Sequence, residues 1–456
     1  MEQNREKLSS RLGFILLSAG CAIGLGNVYR FPIITGAYGG AIFVLIYIAF
    51  LILLGLPVMT AELSVGRASQ RSIASSFDKL EKPGQKWHLM KYAGVIGNYL
   101  LMMFYTTITG WMLMYFLKYV NGSIMDASGV EALGNVFGAM VSDPVKSVVA
   151  TFAVIVLCFG ICSLGLQKGV ESITKKMMVA LFALMFGLAI YSCTLPGTGE
   201  GLKFYLVPSV QNIQKSGLWT VISAAMGQSF FTLSLGIGSI AIFGSYIDKD
   251  HRLLGEARTI VVLDTTVALM SGLIIFPAYF TYNGGTITAG NAGAGFLFTT
   301  LSSIFNDMPA GRLIGALFFL FMLFAALSTV IAVFENIMSF WLELTKFNRR
   351  QAALINIVLL MVLALPAAFT ENLLSGVKIF GKSIMDLEDF VVSNLLLPLG
   401  SLVYVLFCTW RYGWGWDKYF GEVNTGKGLA MPKWIRPYMT YVLPLIILVV
   451  LVMSVL

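Results

Sequence analysis

The chain has 456 residues, 57% of them hydrophobic and only 12% charged, against roughly 25% charged in an ordinary soluble domain. That argues against a soluble globular protein. Eleven membrane helices of about 20 to 23 residues each would consume roughly half the chain, close to its apolar share. The net charge of +8 does not mark a nucleic-acid binder, because Lys and Arg follow the loops between apolar segments and form no patch.

The N-terminus carries Glu2, Arg5 and Lys7 and runs directly into a glycine-rich apolar helix. It has no small-residue cleavage site, so the first helix is expected to be retained as a span and not removed as a signal peptide. A hydropathy window of about 19 residues predicts apolar spans near 12–36, 41–65, 92–120, 146–166, 176–195 and 219–246, then 257–282, 312–342, 352–371, 389–410 and 436–456. None has the alternating period of a β-barrel strand. With the N-terminus in the cytoplasm, 23 of the 31 Lys and Arg fall in the tail and cytoplasmic loops, as the positive-inside rule requires. An odd span count then leaves Leu456 outside. Cys21, Cys158, Cys162, Cys193 and Cys408 all lie in apolar stretches without disulfide or zinc spacing, and are expected to be small core residues.

The first and sixth spans carry small residues at mid-membrane depth, where a continuous helix would have Leu or Ile. They read Ser18-Ala19-Gly20-Cys21-Ala22-Ile23-Gly24-Leu25-Gly26-Asn27 and Phe231-Thr232-Leu233-Ser234-Leu235-Gly236-Ile237-Gly238. Unwinding a helix frees N–H and C=O groups that hydrocarbon cannot satisfy, so breaks survive where a ligand, ion or water replaces the lost bonds. Interrupted helices at corresponding positions five spans apart predict two inverted five-helix repeats, 12–195 and 219–410, within a single domain 1–456, with 436–456 as an additional helix outside the repeat. The substrate and ion sites are expected between the breaks, near the midplane.

The residues resemble a known family. Arg11-Leu12-Gly13 leading into Gly24-Leu25-Gly26-Asn27-Val28-Tyr29-Arg30-Phe31-Pro32, the segment Gln228-Ser229-Phe230-Phe231-Thr232-Leu233-Ser234-Leu235-Gly236, and Gly55, Pro57, Glu62 and Gly66-Arg67 are similar to the neurotransmitter:sodium symporters over nearly the whole chain. The resemblance implies an all-α integral membrane protein with the LeuT-like 5+5 inverted repeat, whose helices 1 and 6 are unwound. It implies sodium-coupled amino acid symport, two Na+ ions, and no organic cofactor.

Carried onto this sequence, the first sodium site would use the Ala22 carbonyl, Asn27, Thr232 and the substrate carboxylate, with Asp264 where the family has Asn. The second would use carbonyls of Gly20, Ile23 and Ala325 and hydroxyls of Ser328 and Thr329. The chloride position of chloride-dependent members would lie near Tyr47, Gln228 and Ser234, but its seventh-helix serine is Ala268 here. A carboxylate at Asp264 already compensates sodium, so chloride-independent transport is expected.

The resemblance places Tyr105 and the Leu25 and Gly26 amides at the substrate carboxylate, and the Ala22, Phe231, Thr232 and Ser234 region at its amine. Ala22, Leu101, Phe231, Ile237, Thr329 and Val333 would form the side-chain wall. Gly24 stands where carriers of biogenic amines have Asp, which implies a zwitterionic substrate, a neutral hydrophobic or aromatic amino acid. Arg30 with Asp389 resembles the outer gate, with Asp386 and Glu388 nearby. Arg5 with Glu343 resembles the inner gate, with Tyr246 and Glu335 close by. The stretch Gly284 to Pro309 would form an outer lid. In the fifth span Gly169 is present, but Val179 stands where family members often have a proline.

The two histidines, His88 and His251, both fall in loops, and no nucleophile or metal cluster lies at membrane depth, so an enzyme is not expected. An amino acid sensor without transport, or a channel, is the alternative. Compact loops suggest a bacterial inner-membrane location. The oligomeric state is left open by the sequence.

Overall fold

The structure is a computed structural model that describes residues 6–209, 217–283 and 296–455. Its helices follow the predicted spans in order: α1a (Arg11–Ala22) and α1b (Gly26–Ala37), α2 (Ala41–Ser69), α3 (Met90–Asn121), α4 (Pro144–Ser163), α5 (Leu166–Ser192), α6a (Leu218–Thr232) and α6b (Ala241–Gly244), α7 (Leu253–Asn283), α8 (Gly311–Leu344), α9 (Arg349–Leu363, continued by Leu365–Ala368), α10 (Ile384–Thr409) and α11 (Lys433–Ser454). Among the described residues eight helices are long and apolar enough to cross a membrane, or nine if the bent pair α1a/α1b is one span. The shortfall from eleven falls at two places. The sixth span is cut by left-handed backbone at Ser234, Gly236 and Gly238, and the ninth is interrupted at Ala364 ahead of Pro366.

Local chemistry sets the helix ends. The Ser10 hydroxyl accepts the Gly13 N–H at the start of α1a. Asp143 accepts the Val145 and Lys146 N–H groups, with Pro144 at the first helical position, where its missing N–H costs nothing. Asn348 and Gln351 form a capping box at α9. Gly122, at φ 82°, closes α3, a left-handed turn that glycine makes without a Cβ penalty.

Burial places α8 at the centre. Of its most apolar 18-residue stretch 78% is buried inside the protein, against 28% for α11. Phe14, Leu17 and Ala19 of α1a, Leu101 and Tyr105 of α3 and Ser328 and Thr329 of α8 are all within this core. The periphery presents Ile52, Leu53, Leu157, Ile190, Val358 and Leu445 outward, an apolar girdle suited to lipid. Val179, at the family's proline position, is in that girdle. The irregular part of α5 is instead its first turn, Leu166–Glu171, which is π-helical. Glu171 there accepts the Ser9 N–H at 2.8 Å and the Ser9 hydroxyl at 2.5 Å. Cys193, just past α5, is exposed, whereas Cys21, Cys158, Cys162 and Cys408 are buried thiols as expected.

Arg67, one of the motif residues, is a structural cation. It is completely buried at the end of α2, where Nε donates to Glu422 Oε1 at 2.6 Å, Nη1 to the His251 carbonyl at 2.7 Å, and Nη2 to the Glu422 carbonyl. It therefore fastens α2 to the α6–α7 loop and to the short helix Trp416–Val423. Removing one member of a buried ion pair strands the other and costs about 3–5 kcal/mol. Arg67→Met is expected to lower the thermal unfolding temperature in detergent markedly. An unchanged melting curve would show that the cluster is not a fastening.

Candidate functional site

In α1 the helix stops at Ile23, whose backbone is extended (ψ 102°), and the chain bends by 52° before α1b. The groups released there are taken up by side chains from four other helices. The Asn27 side-chain oxygen accepts the Gly24 N–H at 3.0 Å, while the Leu25 N–H donates to the Tyr105 hydroxyl at 2.8 Å. Gln228 Nε2 donates to the Gly26 carbonyl at 2.7 Å, and Ser271 Oγ to the Asn27 carbonyl at 2.8 Å. Thr329 Oγ1 lies 3.1 Å from the Ile23 carbonyl and 3.3 Å from that of Gly20.

The break in α6 is satisfied differently. Glu62, fully buried on α2, accepts the N–H groups of Gly236 at 2.8 Å, Ile240 at 3.0 Å and Ala241 at 3.3 Å. Asn98 Nδ2 donates to the Ile237 carbonyl at 2.8 Å. A Cβ on Gly236 would run into the Leu397 carbonyl of α10, so the close approach of these backbones demands glycine. Glu62 had been singled out only as a motif residue and a retained charge; its place is at the break of α6, away from both ion sets and both gates.

Two oxygen clusters flank the α1 break. In one, Asn27 Nδ2 donates to Asp264 Oδ1 at 2.7 Å and to the Asp264 carbonyl at 3.0 Å, and Thr232 Oγ1 lies 3.3 Å from Asp264 Oδ2. Ala22 ends α1a beside them, so its carbonyl is among those a helix end leaves without an intrahelical partner. In the other, Ser328 Oγ lies 2.9 Å from the Ala325 carbonyl and 3.4 Å from that of Ile23, next to the Thr329 contacts with Gly20 and Ile23. Both sets offer only oxygen, the ligand type hard cations take. Each set is therefore chemically suited to a hard cation such as sodium.

Between the breaks lies a small cavity lined by Ala22, Gly24, Gly26, Leu101, Tyr105, Phe231, Ser234, Thr329 and Leu397. Eight of these nine are sequence-predicted substrate residues; Leu397 is new, brought in by α10. Leu25 contributes its N–H through Tyr105. Ile237 is buried with its side chain toward Gly97, and Val333 lies one helical turn past Thr329 inside α8; neither lines the cavity. Ser234 Oγ donates to the Cys21 carbonyl at 3.5 Å, while the hydroxyl beside Asp264 is that of Thr232. Tyr47 packs against Phe31 with ring centroids 5.0 Å apart and the rings tilted by 48°, and Ala268 is buried in α7.

Phe231 separates this cavity from a second one of about 190 Å³ on the opposite face from the N-terminus, which Leu25, Tyr29, Arg30, Trp111, Asp386 and Asp389 also line. The Arg30 guanidinium sits 4.5 Å above the Phe231 ring. Its Nη1 is 3.8 Å from Asp389 Oδ1, and Ser393 bridges the pair, 3.4 Å from Arg30 and 2.6 Å from Asp389. On the N-terminal face Glu343 accepts the Ser72 N–H at 2.7 Å and the Ser75 hydroxyl at 2.5 Å. Tyr246 donates to Glu335 at 2.8 Å, and Arg349 pairs with Glu335. Arg5 lies outside the described residues, as does much of the stretch expected to form the outer lid, 284–295.

A family model described as the sodium:neurotransmitter symporter family matches residues 5–127 and 139–456, and the chain belongs to that family of sodium-coupled membrane transporters. An uncharacterized sodium-dependent transporter of Bacillus subtilis, YhdH, is 35% identical over 89% of this chain and 88% of its own. One from Methanocaldococcus jannaschii is 30% identical over 97% of this chain and 89% of its own. The crystal structure of MhsT in complex with L-phenylalanine superposes with a TM-score of 0.88 at 35% identity, covering 99% of this chain and all of that one. The all-α membrane fold is thus shared with a LeuT-fold transporter.

The hydroxyl pair on α8 supplies a test. Each hydroxyl would supply one oxygen ligand to a hard cation, so the double variant Ser328→Ala, Thr329→Ala is expected to need at least about tenfold more sodium for sodium-dependent thermal stabilisation of the purified protein. Its melting temperature in potassium should stay near wild type. An unchanged sodium midpoint would remove these hydroxyls from the ion's shell.

Proposed function

We propose that this chain imports neutral hydrophobic or aromatic L-amino acids, each with two sodium ions, by alternating access and without chloride. The observation that carries the substrate class is the cavity between the breaks, whose lining contains no charged side chain. A side chain on Gly24 would strike the Tyr105 hydroxyl and Thr329. A free amino acid brings the carboxylate that this lining lacks. That carboxylate would take over the Leu25 N–H and Tyr105 hydroxyl, which now bond each other, and would complete the ion set of Ala22, Asn27, Thr232 and Asp264. The substrate ammonium faces carbonyls at the ends of α1a and α6a, where the helix dipoles favour a cation. The phenylalanine bound to MhsT supports the same class.

The cavity measures only about 10 Å³, close to the space one water needs. Leu101, Phe231 and Leu397 must therefore separate to admit substrate. Arg30 with Asp389 closes one side above Phe231, and Glu343, Tyr246 and Glu335 mark the other. The repeats 12–195 and 219–410 rock against each other between these gates, with 436–456 outside the moving core. The loop charge supports an orientation with the N-terminus in the cytoplasm and the C-terminus outside, and the compact loops support a bacterial inner membrane.

Asp264 next to Asn27 and Thr232 supports chloride independence, since sodium there meets a fixed negative charge. At 100 mV each sodium contributes about 2.3 kcal/mol, and a tenfold gradient about 1.4 kcal/mol more. Two ions then supply roughly 7 kcal/mol, enough for about a 10⁵-fold amino acid gradient.

Proteoliposomes with a sodium gradient are expected to concentrate labelled leucine or tryptophan, equally well with chloride or gluconate. Asp264→Asn should slow uptake or make it respond to chloride, and Gly24→Asp should abolish binding. Sodium-dependent binding without flux would reduce the protein to a sensor. Displacement of bound leucine by glutamate or lysine better than by tryptophan would overturn the substrate class.

A further inference from the structure

Between the substrate cavity and the N-terminal face lies a small group of buried polar side chains. Asn98 is one turn before the cavity residue Leu101 on α3, Ser239 follows the break in α6, and Asn336 lies about two helical turns past Thr329 on α8, next to Glu335. All three are completely buried. One turn further along α8, Ser339 meets the Tyr246 hydroxyl at 2.9 Å, and that hydroxyl donates to Glu335 at 2.8 Å. A substrate released toward this face passes between these helices, so the contacts that join α6 to α3 there have to part.

Asn98 makes those contacts. Its Nδ2 group donates to the Gly94 carbonyl at 2.7 Å, within α3, and to the Ile237 carbonyl at 2.8 Å, across to α6. Its Oδ1 accepts from Ser239 Oγ at 3.3 Å and from Asn336 Nδ2 at 3.0 Å. Both amide hydrogens and both oxygen lone pairs of Asn98 are therefore used. Gly97 permits the close approach, since a Cβ there would come to 2.9 Å from the Ile237 side chain. Asn336 is different, because its Oδ1 is buried without a hydrogen-bond partner among the described residues. A buried amide oxygen left without a donor is costly, and an apolar side chain of the same shape would fill the place without that cost. The free oxygen becomes useful only when a donor reaches it in another state.

We propose that Asn98 and Asn336 form a two-position amide latch on the inner side of the substrate cavity, in which Asn98 Nδ2 passes one hydrogen bond from the Ile237 carbonyl to Asn336 Oδ1 when α6 withdraws. The two side chains already share one bond. The terminal torsion of an Asn side chain is soft, so a small rotation lays the amides side by side, each donating to the other. In the closed state the pair is joined once and Asn98 holds α6. In the open state the pair is joined twice, and the Ile237 carbonyl and Ser239 hydroxyl left behind are open to water. The bond lost to α6 is replaced by one between α3 and α8, which gives the element two discrete arrangements. Asn336 is thus a positioning residue for the inward step and acts through Asn98. The latch rests on alternating access as proposed above.

Asn336→Leu keeps the volume and removes the second position. In proteoliposomes it is expected to lower kcat for sodium-driven leucine uptake about tenfold, while the leucine dissociation constant in sodium stays within about twofold of wild type and the melting temperature does not fall. Ser239→Ala removes a bond made only in the closed state, so it should shift the balance the other way. Deuterium uptake by the segment 237–246 of the purified protein in potassium, read by mass spectrometry, should rise above wild type in Ser239→Ala and drop below it in Asn336→Leu. Shifts of deuterium uptake in the same direction, or an unchanged kcat in Asn336→Leu, would overturn the latch. A lower melting temperature with wild-type exchange would also overturn it, leaving the amides a purely structural role. The exchange measurement needs no flux, so it decides the latch separately, whereas absent uptake by the wild type would count against the proposed function.

Discussion

Every feature of the site depends on one constraint: backbone N–H and C=O groups released inside a membrane must find partners within the protein. Two helices are broken at mid-depth, and each break is possible only because side chains from other helices reach it. Glu62 alone accepts three N–H groups at the α6 break. At the α1 break the work is divided among Asn27, Tyr105, Gln228, Ser271 and Thr329. The same oxygens that quiet the backbone leave lone pairs facing inward. A site for cations beside a zwitterion cavity is what that arrangement can do chemically.

The few charges that survive in a 12% charged chain are retained for a similar reason. A buried ion without a partner costs several kcal/mol, and four are compensated here: Glu62 by backbone amides, Asp264 by Asn27 and Thr232, Glu335 by Tyr246 and Arg349, Arg67 by Glu422. Arg30 and Asp389 are only partly buried and meet at 3.8 Å through Ser393. A looser, partly hydrated pair costs less to separate than the tight buried ones, which suits a contact that must open and close in every cycle.

Much of the site was legible because short motifs carried it. Gly24 to Pro32 and Gln228 to Gly236 led to eight of the nine cavity residues, and all five residues of the α8 oxygen set come together. The misses have physical causes. Ile237 and Val333 sit at helical spacing from lining residues, but left-handed turns at Gly236 and Gly238 rotate the first away, and the second is buried one turn further along α8. Ser234 is itself left-handed, at φ 51°, which swings its hydroxyl toward α1. Arg67 read as a motif residue without a stated partner, because hydropathy does not register one at residue 422. Leu397 carried no signal at all, since an apolar residue on an apolar helix is unremarkable until another element packs on it.

The sequence by itself determined that this is a helical membrane protein, where its helices run, which two would break and which charges could not be incidental, because hydropathy, glycine placement and capping act over a few residues. Only the tertiary structure decided what satisfies each break. Those partners lie far apart in the chain: Glu62 from Gly236, Asn27 from Asp264, and Tyr105 from Leu25. It also decided that the cavity between the breaks is closed down to little more than a water. Such properties depend on distances between helices, which no local pattern in the sequence encodes.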